Sequence, residues 1–208
     1  IAAANATRYR RLAEKLIDAL SRVTAEGFLY RVDMRLRPWG QAGPLVSPLS
    51  GYLKYLTQHA RLWERQALLK ARPIAGDPEC GRAFLRQVQP LLYDTNVARI
   101  RADVHDMKLR TESALEEKGR TWGEVKLGAG SIRDIEFVVQ YLQLVYGARY
   151  PEIHTGNTQQ ALPRLLARGL ISMSEHRILT DGYVFLRTIE HHLQMMHYRQ
   201  THTLPTDD

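Results

Sequence analysis

The chain has 208 residues, 44% of them hydrophobic and 25% charged, with 29 basic against 22 acidic side chains and a net charge of +7. That is enough to bury a sizeable core; no apolar run reaches the length of a membrane-spanning helix, and a single cysteine, Cys80, excludes an internal disulfide framework and a thiolate zinc site. The positive balance favours an anionic partner, but the basic residues are spread out and not interleaved with aromatics, which argues against nucleic acid. The first residues, IAAANATRYRR, lack the basic-then-apolar order of a secretory signal, so the expectation is a cytoplasmic protein with no membrane partner.

From Tyr9 onward, Leu12, Leu16, Ala19, Leu20 and Val23 recur at helical spacing, and Gly27 stands where a helix can stop. FLYRVDMRL, residues 28–36, alternates as a strand does, setting Arg31, Asp33 and Arg35 on one face with Arg37 continuing the row. The turn-rich PWGQAGP follows, then a short second strand at Leu45 and Val46, then a helix started by Ser47 and Pro48.

The remainder reads as successive helices. Leu53 and Leu56 mark one, Trp63, Ala67 and Leu68 a second that stops before Pro73, and Phe84, Val88 and Leu91 a short third. Ile100, Val104, Met107, Thr111 and Leu115 form a stripe running to Gly119. Ser131 with Asp134 predicts a capped helix ending at Gly147; a shorter one covers Gln159 to Arg168 with Gly169 as its stop. Ser172 with Glu175 opens a long last helix reaching about Tyr198, with Leu186, Ile189, Leu193 and Met196 on its buried face. The fold class expected is mainly α, with a strand-bearing piece over residues 1–47 followed by a helical bundle over 48–208.

Asp33 is the sharpest chemical feature. A carboxylate between Arg31 and Arg35 on one strand face can hold a hard cation while the arginines hold phosphate oxygens; equally, alternating charges on an exposed face can pair with each other. No Asp-x-Asp pair occurs in the sequence, so a two-metal carboxylate set is incomplete within it. Gly128 to Ser131 opens a helix where backbone N–H groups can meet an anion, flanked by Lys126 and Arg133, or it is a flexible entry loop with a serine cap. Arg133, Glu136, Gln140 and Gln143 share a polar face of that helix.

Four blocks, RVDMRLRPWGQAGPLV, WERQALLKARPIAGD, KLGAGSIRDIEFVVQ and QTHTLP, in this order and spacing, resemble the bacterial bifunctional glutamine synthetase adenylyltransferase and adenylyl-removing enzymes. The resemblance spans Phe28 to Pro205 and implies the C-terminal piece of a polymerase-β-like α+β nucleotidyltransferase domain joined to a helical bundle. The third and fourth blocks resemble the N-terminal, adenylyl-removing half, which implies phosphorolysis: inorganic phosphate attacks the adenylyl-tyrosine phosphorus and releases ADP and free tyrosine.

By that resemblance Asp33 is a metal ligand for Mg²⁺, Arg35 and Arg37 lie beside the nucleotide (ATP or ADP), and Arg133 and Glu136 face the cleft as nucleotide-binding residues. The implied partners are glutamine synthetase and the PII nitrogen-signalling protein. The family's Gly-Ser turn and Asp-x-Asp pair are absent, so the expectation is a fragment without adenylyl-removing activity of its own, and Ser131 stands where the family pattern has glycine. The alternative is a non-catalytic helical module that docks glutamine synthetase or PII.

Overall fold

A computed structural model describes residues 3–93, 96–197 and 201–205, and among these the chain is mainly α-helical. It divides into two compact units, Ile1–Ala67 with Pro73–Leu91, and Leu68–Arg72 with Leu92–Asp208.

In the first unit, α1 (Ala3–Ser21) starts well ahead of the stripe at Tyr9, because the alanine-rich entry favours helix without needing an apolar face. That stripe is not buried: Tyr9, Leu12 and Leu16 are exposed. The helix stops short of Gly27, which instead closes a tight turn with Thr24, their N–H and C=O groups exchanging bonds of 2.7 and 3.0 Å. Gly27 adopts φ +100°, open to glycine and strained for other residues.

The expected strand over 28–36 does not form, nor does one at Leu45 and Val46; no named strand occurs among the described residues. A ladder needs a neighbouring strand to take its N–H and C=O groups in turn; Tyr30 donates its N–H to the Leu20 carbonyl at 2.7 Å, but among the described residues no strand lies alongside. The alternation of faces does not survive either: Val32 and Met34 are half-buried, but Phe28, Tyr30 and Leu36 are exposed along with Arg31, Asp33 and Arg35.

Beyond it the chain turns sharply through Trp39, at φ 64°, and a 3-10 turn, Gly40–Ala42. A Cβ on Gly43 would overlap the Pro38 carbonyl oxygen, so this close approach requires glycine. Three further helices complete the unit: α2 (Leu49–Gln58), α3 (Leu62–Leu68) and α4 (Pro78–Leu92), the last longer than Phe84 to Leu91 suggested. The Trp39 ring packs at 5.1 Å on Tyr55 and 4.7 Å on His59, and Tyr52 meets Phe84 edge-on at 5.3 Å. Glu64 accepts the Tyr55 hydroxyl at 2.7 Å and the Arg61 N–H at 2.8 Å, joining α2 to α3.

The second unit contains α5 (Val97–Glu116), α6 (Ile132–Tyr146), α7 (Thr158–Ala167) and α8 (Met173–His197). Helix α6 packs on the other three, and α7 on α8. Val139, Ile153, Ala161, Leu162, Leu165 and Ile171 form its core, each aliphatic side chain contributing about 1.5–3 kcal/mol by leaving water.

The helix ends follow local chemistry. Ser172 and Glu175 make the reciprocal cap expected: the Ser172 N–H donates to Glu175 at 2.7 Å and the Glu175 N–H to Ser172 Oγ at 3.2 Å. Ser131 and Asp134 do not. Ser131 Oγ donates to the Lys126 carbonyl at 2.8 Å, and the Asp134 carboxylate accepts the Gly130 N–H at 2.8 Å and Lys108 at 2.6 Å. Gln143, 2% exposed, donates to the Ile153 and Thr155 carbonyls at 2.8 and 2.9 Å, fastening the loop after α6. On α8, Leu193 is buried as expected but Met196 is exposed, and Tyr198 lies outside the described residues.

Candidate functional site

Asp33, Arg35 and Arg37 belong to the first unit, Arg133 and Glu136 to the second. Arg35 grips Asp33 completely: its Nε lies 3.0 and 2.9 Å from the two carboxylate oxygens, its Nη2 2.6 Å from Oδ2, and its backbone N–H 2.9 Å from Oδ1. The Arg35 side chain, then its backbone N–H, hold Asp33 down at about 2. Of the two readings of the alternating charges, mutual pairing is the arrangement the side chains adopt.

Arg37 is spent otherwise. Its guanidinium donates to the carbonyls of Met34 at 2.6 Å, Gly43 at 3.3 Å and Gln41 at 3.3 Å, stapling the turn that carries Arg35. Among the described residues no three His, Cys, Asp or Glu side chains gather as a metal cluster. One carboxylate held by an arginine does not fit Mg²⁺ by itself, since a hard cation needs further oxygen ligands and a free carboxylate.

In the second unit Glu136 accepts Lys70 Nζ at 2.9 Å and Arg187 Nη2 at 2.8 Å, with the Tyr183 hydroxyl 3.4 Å away. Arg187 then reaches Glu190 at 2.5 Å, and Glu190 also faces Lys126 at 3.1 Å and His202 at 3.0 Å. The Glu190 side chain is 1% exposed. Burial alone would raise its pKa; Lys126 and Arg187 outweigh that and hold it below the ordinary carboxylate value. His202 arrives on the segment 201–205, which lies antiparallel to 123–125 through the Val125 N–H to His202 C=O and Leu204 N–H to Gly123 C=O bonds, both 2.9 Å.

The third and fourth sequence blocks therefore meet in space at Lys126, Glu190 and His202. Arg133 donates its backbone N–H to the Lys126 carbonyl at 3.1 Å and stacks its guanidinium 5.9 Å from the Phe137 ring centre. Burial lowers its pKa, against weaker pulls from Glu136 and Glu124. Sequence reasoning missed Arg187 and Glu190, because α8 was read for its apolar stripe; the available signal was their i, i+3 spacing of opposite charges.

Residues 2–87 match the family profile described as glutamate-ammonia ligase adenylyltransferase, and residues 98–208 that described as GlnD PII-uridylyltransferase. Curated relatives named bifunctional glutamine synthetase adenylyltransferase/adenylyl-removing enzyme align along nearly the whole chain. The relative from Mesorhizobium japonicum is 42% identical over 207 residues, covering 96% of this chain and 21% of its own length. The relative from Streptomyces coelicolor is 40% identical over 200 residues, covering 95% and 20%, and that from Hahella chejuensis is 37% identical over 206 residues, covering 98% and 21%.

The chain belongs to this family of bifunctional enzymes. It spans about a fifth of the length of these relatives. Family membership accounts for the register of all four blocks. No helix among the described residues is long and apolar enough to cross a membrane.

Proposed function

We propose that these residues are part of the adenylyl-removing half of a bifunctional glutamine synthetase adenylyltransferase, acting in the cytoplasm on adenylylated glutamine synthetase. The observation that carries this reading is 37–42% identity to enzymes of that name over 95–98% of the chain. In this reading residues 1–47 belong to a nucleotidyltransferase domain and 48–208 to the bundle that follows it. ATP, ADP and inorganic phosphate are the small substrates and products, and PII is a regulatory partner.

Asp33 is then one carboxylate of a catalytic set whose other acidic ligands lie in parts of the enzyme outside these residues. To join a Mg²⁺ set, its carboxylate must first be released by Arg35, which then becomes available to a phosphate oxygen. Arg37 keeps the turn that presents both residues, and Arg133 and Glu136 lie on the bundle helix that serves the nucleotide. The chemistry is phosphorolysis: a phosphate oxygen bonds to the adenylyl phosphorus while the bond to the tyrosine oxygen breaks, giving ADP and free tyrosine.

A second reading, a helical docking module for glutamine synthetase or PII, is favoured by one feature of the second unit. A groove of about 1090 Å³ between α5 and α6 is lined by apolar Ala102, Phe137 and Val138 and by basic Arg101 and Lys108 with His105.

The test is phosphate-dependent release of ADP from adenylylated glutamine synthetase. The complete enzyme releases ADP and these 208 residues alone release none. No release by the complete enzyme overturns the catalytic reading, and release by the 208 residues alone overturns the shared-site reading of Asp33.

A further inference from the structure

The groove of about 1090 Å³ between α5 and α6 exceeds the roughly 300–1,000 Å³ of pockets that enclose small ligands. On α5 its lining runs from Val97 to Lys108, which spans about 16 Å, or three turns of a helix laid alongside. Val97 and Val138 stand 43% and 41% exposed, so large apolar side chains of both helices meet solvent there.

Charge is unevenly distributed in the same lining. Arg101, His105 and Lys108 recur at i, i+4 and i+7, one face of α5, whereas α6 supplies a single carboxylate, Asp134. Asp134 is committed to Lys108 at 2.6 Å and to the Gly130 N–H at 2.8 Å. Along α5, Asp103 pairs with Arg99 at 3.9 Å, Asp106 with Arg110 at 3.7 Å and Glu112 with Lys108 at 3.1 Å. Among the described residues Arg101 is left with no carboxylate at ion-pair distance.

The backbone decides the form of the ligand. Both walls are helices whose N–H and C=O groups bond within the helix, so they offer no strand edge to an extended peptide, whose own groups would go unpaired. A docking helix arrives with its backbone satisfied and presents side chains every third and fourth residue, the spacing of the groove's own lining.

We propose that the α5–α6 groove docks an acidic amphipathic helix of a partner protein, its apolar stripe against Val97, Phe137 and Val138 and its carboxylates against Arg101 and His105. A second copy of this chain is a poor source of that helix. Its own exposed amphipathic helix, α1, carries Arg8, Arg10, Arg11 and Lys15 against Glu14 and Asp18, and would meet Arg101 with like charge. The proposal deepens the docking-module reading and rests on it, naming the chemistry that the partner must bring.

The probe is a fluorescent helical peptide of about five turns, with leucines on one face and glutamates flanking them, titrated with the complete enzyme and with the 208-residue chain. Both bind it, and the same peptide with lysines in place of the glutamates binds at least about tenfold more weakly. Arg101→Glu, which breaks no ion pair among the described residues and leaves thermal melting unchanged, inverts that preference. Val138→Arg, at a position already partly exposed, melts as the parent does and abolishes binding of both peptides; Arg177→Glu on α8, outside the groove, leaves binding as it was.

Absence of peptide binding, equal binding of the two peptides, or binding that Val138→Arg leaves intact overturns the proposal. Binding to the 208-residue chain but not to the complete enzyme also overturns it, by assigning the groove to another segment of the enzyme. Self-association of the chain that Val138→Arg abolishes overturns it in favour of a second copy. The docking reading fails separately: if the complete enzyme retains neither glutamine synthetase nor PII, that reading falls, whereas retention undiminished by Val138→Arg overturns the groove alone.

Discussion

Arg187 and Glu190, one helical turn apart on α8, meet at 2.5 Å with the Glu190 side chain 1% exposed, and through them Glu136 on α6 is joined to Lys126 and His202. Removing one partner of such a pair leaves charge buried without compensation, so Glu190→Gln lowers stability by about 3 kcal/mol in urea denaturation. Because Lys126 and Arg187 hold the folded pKa of Glu190 below its ordinary value, its contribution is fully present above that ordinary value and is lost as pH falls through the folded one. The variant therefore loses part of the parent's acid sensitivity. Unchanged stability would mean that water already reaches the pair.

His154 and His202 set a second pH dependence of the same direction in another range. Burial, only partly opposed by the Gly147 carbonyl at 2.8 Å, lowers His154, and burial with Lys126 lowers His202. Both are favoured neutral in the fold, so stability is complete above the ordinary histidine value of about 6.5 and declines as pH falls through it. His154 also stacks at 4.6 Å on Tyr93. Melting followed between about pH 8 and 5 falls with pH, and His154→Gln flattens that fall. An equal slope in the variant would assign the effect elsewhere.

Arg37 makes its three bonds to main-chain carbonyls, so its loss acts on the turn before it acts on any ligand. Arg37→Ala lowers stability by about 1–2 kcal/mol and speeds proteolysis between residues 34 and 43. Arg37→Lys keeps the charge but lacks the fork, and recovers only part. Wild-type proteolysis in Arg37→Ala would show that solvent satisfies those carbonyls equally well.

The second unit was the more legible in sequence because its signals are local. The stripe from Ile100 to Leu115, the serine and glutamate at 172 and 175, and Gly169, at φ +65°, each fix a helix or its end from a few neighbouring residues. The extended segment from Phe28 failed as a strand because alternation specifies faces but cannot supply a ladder partner. Without that partner only Val32 and Met34 are half-buried, and Phe28, Tyr30 and Leu36 are exposed with Arg31, Asp33 and Arg35. The charge cluster was illegible for the opposite reason: Arg187 and Glu136 are 51 positions apart, and only packing of α6 against α8 makes them neighbours. Arg37, placed beside the nucleotide by resemblance, donates to the carbonyls of Met34, Gln41 and Gly43, contacts that its place in the row of charges does not reveal.

The most direct test of the account compares both activities of the complete enzyme with Asp33→Asn. Asp33 is exposed and pairs with Arg35 at the surface, so the substitution leaves the fold intact. The account predicts that phosphate-dependent ADP release from adenylylated glutamine synthetase falls by at least about a hundredfold while AMP transfer from ATP persists. Wild-type ADP release by Asp33→Asn, or loss of AMP transfer with ADP release intact, would contradict it.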